Sequence, residues 1–369
     1  IKKLLKLLVM SSANMFCGTS SCIAMVGRFR GGLGHVNVLA SLIFSGMSGS
    51  AVADAAGIGK IIIGMMTKEG RFSRGYAAAI TAASATIGPI IPPSIPMVLY
   101  ALVSNTSIGA LFLAGIVPGL IMGGVLMVMN AIIATRRGFT MEDPVPLRKL
   151  PKTTAQAFPA LLMPVILLYG IYGGVTTPTE AAAVAAFYAL VLAGVFYRAL
   201  SLKKLYSVLV ESARSSAAVG VVIGGALILN YIVLTENIPA IMSGFLTDLD
   251  VHPLVFLFGI NVLVLLLGCV LDATTIILVI VPLFIPAARA LGIDLVHFGV
   301  LVVVNSMIGL ITPPYGILLF VINAVTGIPL REIIVEIWGF LAVLVLALII
   351  MILSPGLVLW LPRLFGYAG

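Results

Sequence analysis

Charge is what this sequence has least of. Asp, Glu, Lys and Arg make up 9% of its 369 residues, against roughly 25% in a soluble globular domain. Residues 75–135, 153–179, 215–235, 295–330 and 337–362 hold no charged side chain at all. A membrane-crossing helix needs about 20 apolar residues, so the longer runs have room for two passes. With 61% hydrophobic residues and a mean hydropathy of +1.22, the chain cannot clothe a water-facing surface and reads as an all-α, polytopic membrane protein. Cysteine is also scarce. Cys17, Cys22 and Cys269 are odd in number and lack CxxC spacing, which argues against a disulfide framework or a zinc site. They read as small buried hydrophobes.

The net charge of +8 could point to nucleic acid. It does not, because the basic residues sit in clusters, in short loops between apolar segments, and form no basic helix face. The clusters fall at 28–30, 68–74, 136–152 and 198–214, and by the positive-inside rule they face the cytoplasm. The stretch 236–250 carries only Glu236, Asp248 and Asp250 and reads as external. The chain opens on Ile1 rather than Met, with an amphipathic stretch over 1–8 that can lie in the membrane interface. It has no signal-peptide cleavage pattern. Residues 1–34 are expected to be the remnant of a truncated N-terminal scaffold.

Between the first two basic clusters lies one apolar stretch, 35–67. A single crossing would put basic loops on both sides, so a re-entrant hairpin is expected, broken at Ser45-Gly46-Met47-Ser48-Gly49-Ser50. Such backbone survives at membrane depth only where protein or a cavity surrounds it. The same argument applies at 252–288, interrupted by 268–275 around Asp272. Residues 155–172 and 180–197 make two passes. In the second, Thr177-Pro178-Thr179-Glu180 is a helix start: Thr at the cap, Pro at the first position, Glu three residues on.

Each hairpin is followed by a segment broken by a double proline. Gly88-Pro89-Ile90-Ile91-Pro92-Pro93 and Gly309-Leu310-Ile311-Thr312-Pro313-Pro314 both fit G-x-I-x-P-P. Ser50 precedes Pro92 by 42 residues and Asp272 precedes Pro313 by 41. Proline removes a backbone donor and clashes with the preceding turn, so both segments should unwind and free carbonyls. The chain is therefore divided into a transport repeat at 35–134 (hairpin 35–67, broken helix 75–104, helix 108–134), connecting scaffold helices at 135–251, and a second repeat at 252–369 (hairpin 252–288, broken helix 295–327, helix 333–361). The charge pattern gives the repeats opposite topology. Inverted repeats with broken helices at the bilayer midplane characterise secondary transporters.

Freed carbonyls and hydroxyls suit a hard cation such as Na⁺, and half-helix N-termini suit an anion. The expected Na⁺ ligands are Ser45, Ser48, Gly49, Gly88, Pro92, Asp272, Gly309, Thr312 and Pro313, with each hairpin tip paired to the break that follows it. The expected substrate contacts are Ser48, Ser50, Asp54, Thr274 and Thr275. Asp54 and Asp272 are acids at membrane depth, where charge is costly and usually functional. Asp54 is alternatively a cap of the second hairpin arm. Ser104-Asn105-Thr106 reads as a turn and helix start. Lys60 either snorkels to the interface or pairs with an acid.

Several of these stretches resemble the large membrane subunit of tripartite ATP-independent periplasmic (TRAP) transporters. They are Arg30-Gly31-Gly32-Leu33, Ser48 to Ala55, Ile87 to Ser94, Tyr172-Gly173-Gly174, Thr177 to Ala181, and Asp272 to Pro282. The resemblance runs from about residue 27 to the end. It implies an elevator-type Na⁺/solute symporter of the bacterial inner membrane, for organic acids such as dicarboxylates, sialic acid, and other sugar or keto acids. It also implies two partners, a small membrane (Q) subunit and a periplasmic substrate-binding protein. Three other readings are open to the sequence. A two-hairpin carrier could work without a binding protein. A channel fits poorly with paired acidic tips and no filter-like repeat. An intramembrane serine protease could use Gly46-Met47-Ser48-Gly49 with His35, His252 or His297 as base, but Ser48 lies deep and the histidines lie near membrane edges.

Overall fold

The computed structural model describes residues 29–139, 150–197, 200–237 and 252–368, with Val26 and Gly244. Among them the only regular structure is helical. Five helical stretches are long and apolar enough to cross a membrane: Ile108–Arg137, Pro178–Phe196, Leu202–Val233, Ala273–Ala290 and Leu330–Leu353.

One succession of elements occurs twice. In the first, α1 (Gly32–Ser48) turns into α2 (Ala51–Asp54), a π-helical turn (Ala55–Gly59) and α3 (Lys60–Thr67). Then come α4 (Arg74–Ala85), an irregular break, α5 (Ile95–Ser104) and the long α6 (Ile108–Arg137). After α7 (Leu150–Tyr172), α8 (Pro178–Val191) and α9 (Leu202–Thr235), the order returns. α10 (Pro253–Gly268) turns into α11 (Ala273–Thr275), a π turn (Ile276–Ile280) and α12 (Val281–Ala290). These are followed by α13 (Leu295–Gly309), a break, α14 (Ile317–Thr326) and α15 (Leu330–Leu353), with α16 (Pro355–Leu364) closing the chain. Even the π turns correspond. A π turn inserts one residue and is often found at functional sites.

The two sets interlock. α14 packs on the π turn at 55–59, and α5 packs on the π turn at 276–280, so each broken helix lays its second half on the other set's hairpin. α4, α6 and α15 form the centre, with α1 against α4 and α6, and α13 against α10. Small residues allow the close approach: α4 is Ala-rich and buried along nearly its whole length. Small side chains let helices approach closely where lipid gives no hydrophobic drive between them. Buried polar groups tie the same helices. Asn37 Nδ2 donates to Thr81 Oγ1 at 2.6 Å, and Ser41 Oγ donates to Ser84 Oγ at 3.0 Å. The Tyr76 hydroxyl donates to Asn130 Oδ1. At the end of α6, Arg137 grips Glu336 of α15 through two bonds of 2.8 and 2.7 Å.

Four details depart from the sequence reading. Ser45, Gly46 and Met47 do not break the first hairpin. α1 continues through Ser48, because Gly49 alone, at φ +56°, supplies the left-handed residue that ends it. Lys203, Lys204 and Arg214 of the basic cluster 198–214 do not lie in a loop between apolar segments, since they ride on α9, which begins at Leu202. The segment 333–361 is two helices. Pro355 has no N–H to extend α15, and Ser354 leaves helical geometry at φ −125°, ψ 72°. Asp54 caps nothing; Ser50 holds the cap position, and no side chain fills it. The capping box at Thr177 and Glu180 is present in full. Ser104-Asn105-Thr106 is a turn with Asn105 left-handed, and the following helix is capped by Ser107. Cys17, Cys22, Arg28, Arg148, Lys149, Arg198, Asp248, Asp250 and the stretch 1–25 lie outside the described residues.

Candidate functional site

At the first hairpin tip, Gly49 can hold its positive φ without steric cost, and it has a second reason to lack a side chain. A methyl group there would stand 2.6 Å from the Pro93 carbonyl oxygen. The tip is thus pressed against the first proline break. The Ser48 hydroxyl donates to Asp54 Oδ1 at 2.5 Å, and the Ser50 N–H donates to Ser48 Oγ at 3.3 Å. Asp54 is only 5% exposed. Its Oδ2 is buried with no hydrogen-bond donor and lies over Gly88, where a methyl group would come within 2.1 Å of it. Ser45 is fully buried and donates to the Leu42 carbonyl at 2.6 Å.

The second tip uses its acid differently. Asp272 is the cap of the second arm. Its Oδ2 accepts from the N–H groups of Thr274 and Thr275 at 2.9 and 3.4 Å, and its Oδ1 accepts from the Thr275 hydroxyl at 2.5 Å. This tip also rests on its own proline break. Gly268 and Gly309 meet backbone to backbone; a methyl on Gly309 would stand 2.6 Å from the Gly268 Cα. The Gly316 N–H donates to the Cys269 carbonyl at 3.3 Å. The Gly309 carbonyl accepts from the Thr312 N–H at 3.0 Å, and the Thr312 hydroxyl donates to the Ile308 carbonyl at 2.8 Å. Both breaks carry a cis bond between their prolines.

Between the tips lies a cavity of about 690 Å³. Gly49 to Val52 of the first tip and Asp272 to Thr274 of the second line it. Pro89 comes from the first break, Ile95 and Pro96 from the start of α5, and Ile317 from the start of α14. Four helices therefore begin at its wall: at Ala51, Ile95, Ala273 and Ile317. Asp272 caps the start at Ala273 and Ser94 the start at Ile95, while those at Ala51 and Ile317 carry no side-chain cap; helix starts bring N–H groups and positive dipole ends to the wall. The charged lining residues are Glu211 and Asp272; no Lys, Arg or His is among the lining residues.

Of the residues singled out in the sequence, Gly49, Ser50, Asp272 and Thr274 line this cavity. Ser45, Ser48, Asp54, Gly88, Pro92, Thr275, Gly309, Thr312 and Pro313 are not part of its lining. Several of these sit in the joints between each tip and its break. The sequence reading missed the opposite wall, where α9 contributes Glu211, Ser212, Ser215 and Ser216. A signal was present. Positions 212, 215, 216, 219 and 223 follow the spacing of one helix face, and all of them line the cavity.

The protease arrangement is not assembled. The Ser48 hydroxyl donates to Asp54 Oδ1, His297 Nε2 lies 3.0 Å from the Met351 carbonyl, His252 Nδ1 accepts from the Leu254 N–H, and the buried Nε2 of His35 has no hydrogen-bond partner, Ser48 included. Among the described residues no three His, Cys, Asp or Glu side chains gather as a metal cluster. A hard, weakly held cation on carbonyls, hydroxyls and one carboxylate is the kind of ion these donors suit.

Residues 18–357 match the family model of the tripartite ATP-independent periplasmic transporter, DctM component. The chain is 43% identical over 345 residues to the sialic acid TRAP transporter large permease protein SiaM of Vibrio cholerae, covering 93% of this chain and 81% of that protein. It is 41% identical over 343 residues to the C4-dicarboxylate TRAP transporter large permease protein DctM of Pseudomonas aeruginosa, covering 93% and 80%. It is 35% identical over 335 residues to the 2,3-diketo-L-gulonate TRAP transporter large permease protein YiaN of Escherichia coli, covering 91% and 79%.

Proposed function

The chain belongs to the DctM family of TRAP transporter large permeases, and from that premise we propose that it carries an organic acid through the cavity between its hairpin tips, coupled to Na⁺. The observation that carries this reading is the convergence of four helix N-termini on a cavity whose lining holds two carboxylates and no basic side chain. A substrate carboxylate gains N–H donors and positive dipole ends there. Burying its charge beside Asp272 would still be unfavourable without a cation. Na⁺ supplies that compensation at the joints behind the tips, where Asp54 Oδ2 has no donor and the broken segments bring carbonyls close.

The doubled succession of elements supports inverted repeats with re-entrant hairpins. The way each half-helix packs on the other set's hairpin supports a unit that moves as one body, the elevator mode. The basic ends of the helices support a cytoplasmic orientation in the bacterial inner membrane. Family membership supports a small membrane subunit and a periplasmic binding protein as partners. The names of the SiaM, DctM and YiaN relatives support a substrate such as sialic acid, a C4-dicarboxylate or a diketogulonate.

Reconstitution of the chain with its small subunit in proteoliposomes, with binding protein outside, tests the reading. Uptake of a labelled organic acid should require both an inward Na⁺ gradient and the binding protein. Uptake at full rate in K⁺ alone would sink the Na⁺ coupling. Uptake without any binding protein would make the chain a binding-protein-independent carrier.

A further inference from the structure

Two helices of the central bundle leave an outer face open. α6 and α15 pack together and run in opposite directions. Arg137, the last residue of α6, holds Glu336 near the start of α15. Further back on α6, Met129 Cε lies where a methyl group on Gly339 would stand 2.5 Å away. A step of one residue turns an α-helix by about 100°. Val128 and Arg136 each stand one residue before these contacts on α6, and Val335 and Trp338 one residue before them on α15. In an antiparallel pair that step carries both helices to the same side. Ile132 continues the first stripe and Arg331 the second, each one turn from its neighbour.

The shared face is sorted by chemistry. Val128, Ile132, Val335 and Trp338 are all exposed, Val335 to 70% and Trp338 to 55%. At its end stand Arg136 and Arg331, both exposed and neither in an ion pair among the described residues. The neighbouring charges are used elsewhere. Arg137 is bound to Glu336 and lies over the Tyr76 ring. Glu332, though exposed, is turned to α4, where a methyl on Gly75 would meet its Cβ at 3.2 Å. Arg331 and Trp338 are about 10 Å apart along the helix axis, the step from a headgroup into the upper acyl region. Tryptophan is enriched at that level, and the guanidinium fork of arginine matches phosphate. Basic sites between helices on the cytoplasmic side suit anionic headgroups.

We propose that the face shared by α6 and α15 binds an anionic phospholipid. Its phosphate sits between Arg136 and Arg331, and its acyl chains lie along Ile132, Val128, Val335 and Trp338. A zwitterionic lipid brings the same phosphate with an amine that cancels its charge, so it fills this face less tightly. Such a lipid is bound whatever the cavity carries.

Trp338 reports on its own neighbour. The chain has two tryptophans, so Trp360→Phe leaves one. The full chain carrying that change is reconstituted in phosphatidylcholine vesicles. Quenching of Trp338 by brominated phosphatidylglycerol is compared with quenching by brominated phosphatidylcholine at equal mole fraction. Phosphatidylglycerol should be preferred, and high salt should shrink the preference by screening. Arg136→Gln and Arg331→Gln should each lower it about 5-fold, the effect of one basic side chain at an anionic surface. The double variant should bring the two lipids to parity. Arg331→Lys keeps the charge and should keep most of the preference, and Arg214→Gln, on α9, should leave it unchanged. Equal quenching by the two lipids without the arginine substitutions, or a preference that survives the double variant, would overturn the proposal. So would an equal loss in Arg214→Gln, which would mark a general effect of surface charge. Quenching by neither lipid would show that protein covers this face, and would overturn it too.

Discussion

The two hairpin tips are built on one plan and spend their acid in opposite ways. At the second, Asp272 stands at the start of the helix and its carboxylate is filled by two N–H groups and a hydroxyl. At the first, the acid has moved one turn into the arm. Asp54 is buried, holds one donor from Ser48, and leaves Oδ2 without any. A filled cap fixes the shape of a tip. A buried carboxylate with an empty acceptor calls for a cation, because an uncompensated charge in a low-dielectric place is costly. The second tip is thus the shaped wall of the cavity, and the first is where the proposed Na⁺ would sit.

If this contrast holds, Asp54→Ala should be the most damaging change. Removing one member of a buried charge pair costs about 3–5 kcal/mol, so Na⁺-driven uptake should fall roughly 100-fold or more. The apparent Na⁺ affinity, read from uptake against Na⁺ concentration, should fall with it. Gly88→Ala comes next. Its methyl group meets Asp54 Oδ2, and overpacking of this kind costs about 1–3 kcal/mol. It should shift the Na⁺ dependence by about 10-fold. Gly309→Ala, which meets backbone at the other joint, should instead show mainly as a lower unfolding temperature in detergent. Asp272→Ala should be milder, at about 1 kcal/mol for a lost cap, with Asp272→Asn restoring most of it because Asn also caps. Large loss of Na⁺ affinity in Asp272→Asn would erase the distinction between the tips. Smallest of all, Thr177→Ala removes a capping box that is not part of the cavity lining. It should cost about 1 kcal/mol or less in stability and leave the Na⁺ dependence where it was.

Much of this organisation was legible in the sequence because it rests on local chemistry. Proline breaks, the glycine at the first tip, and the Thr177–Glu180 box declare themselves within a few residues. The acid at 272 was legible as a tip residue, but its role as a cap depends on where the arm begins, and sequence spacing leaves that uncertain by a residue or two. Asp54 was visible as a costly acid, yet only packing reveals that its second oxygen faces Gly88. The α9 wall was hidden for a different reason. Lys203, Lys204 and Arg214 read as a basic loop between apolar passes, whereas they lie on a helix that buries Val208. Once that stretch is a helix, the serines at 212, 215 and 216 fall on one face. Which element that face meets is tertiary, and no local pattern encodes it.

Protection of a single cysteine is the most direct test of the central claim that the cavity between the tips binds the acid together with Na⁺. Cys17, Cys22 and Cys269 are replaced, Ser50→Cys is introduced, and its rate of modification by a water-soluble thiol reagent is measured in the reconstituted transporter. The account predicts that the acid slows modification strongly when Na⁺ is present and little when K⁺ replaces it. A rate at Ser50→Cys that ignores the acid, under Na⁺ conditions where the same preparation imports it, would contradict the account.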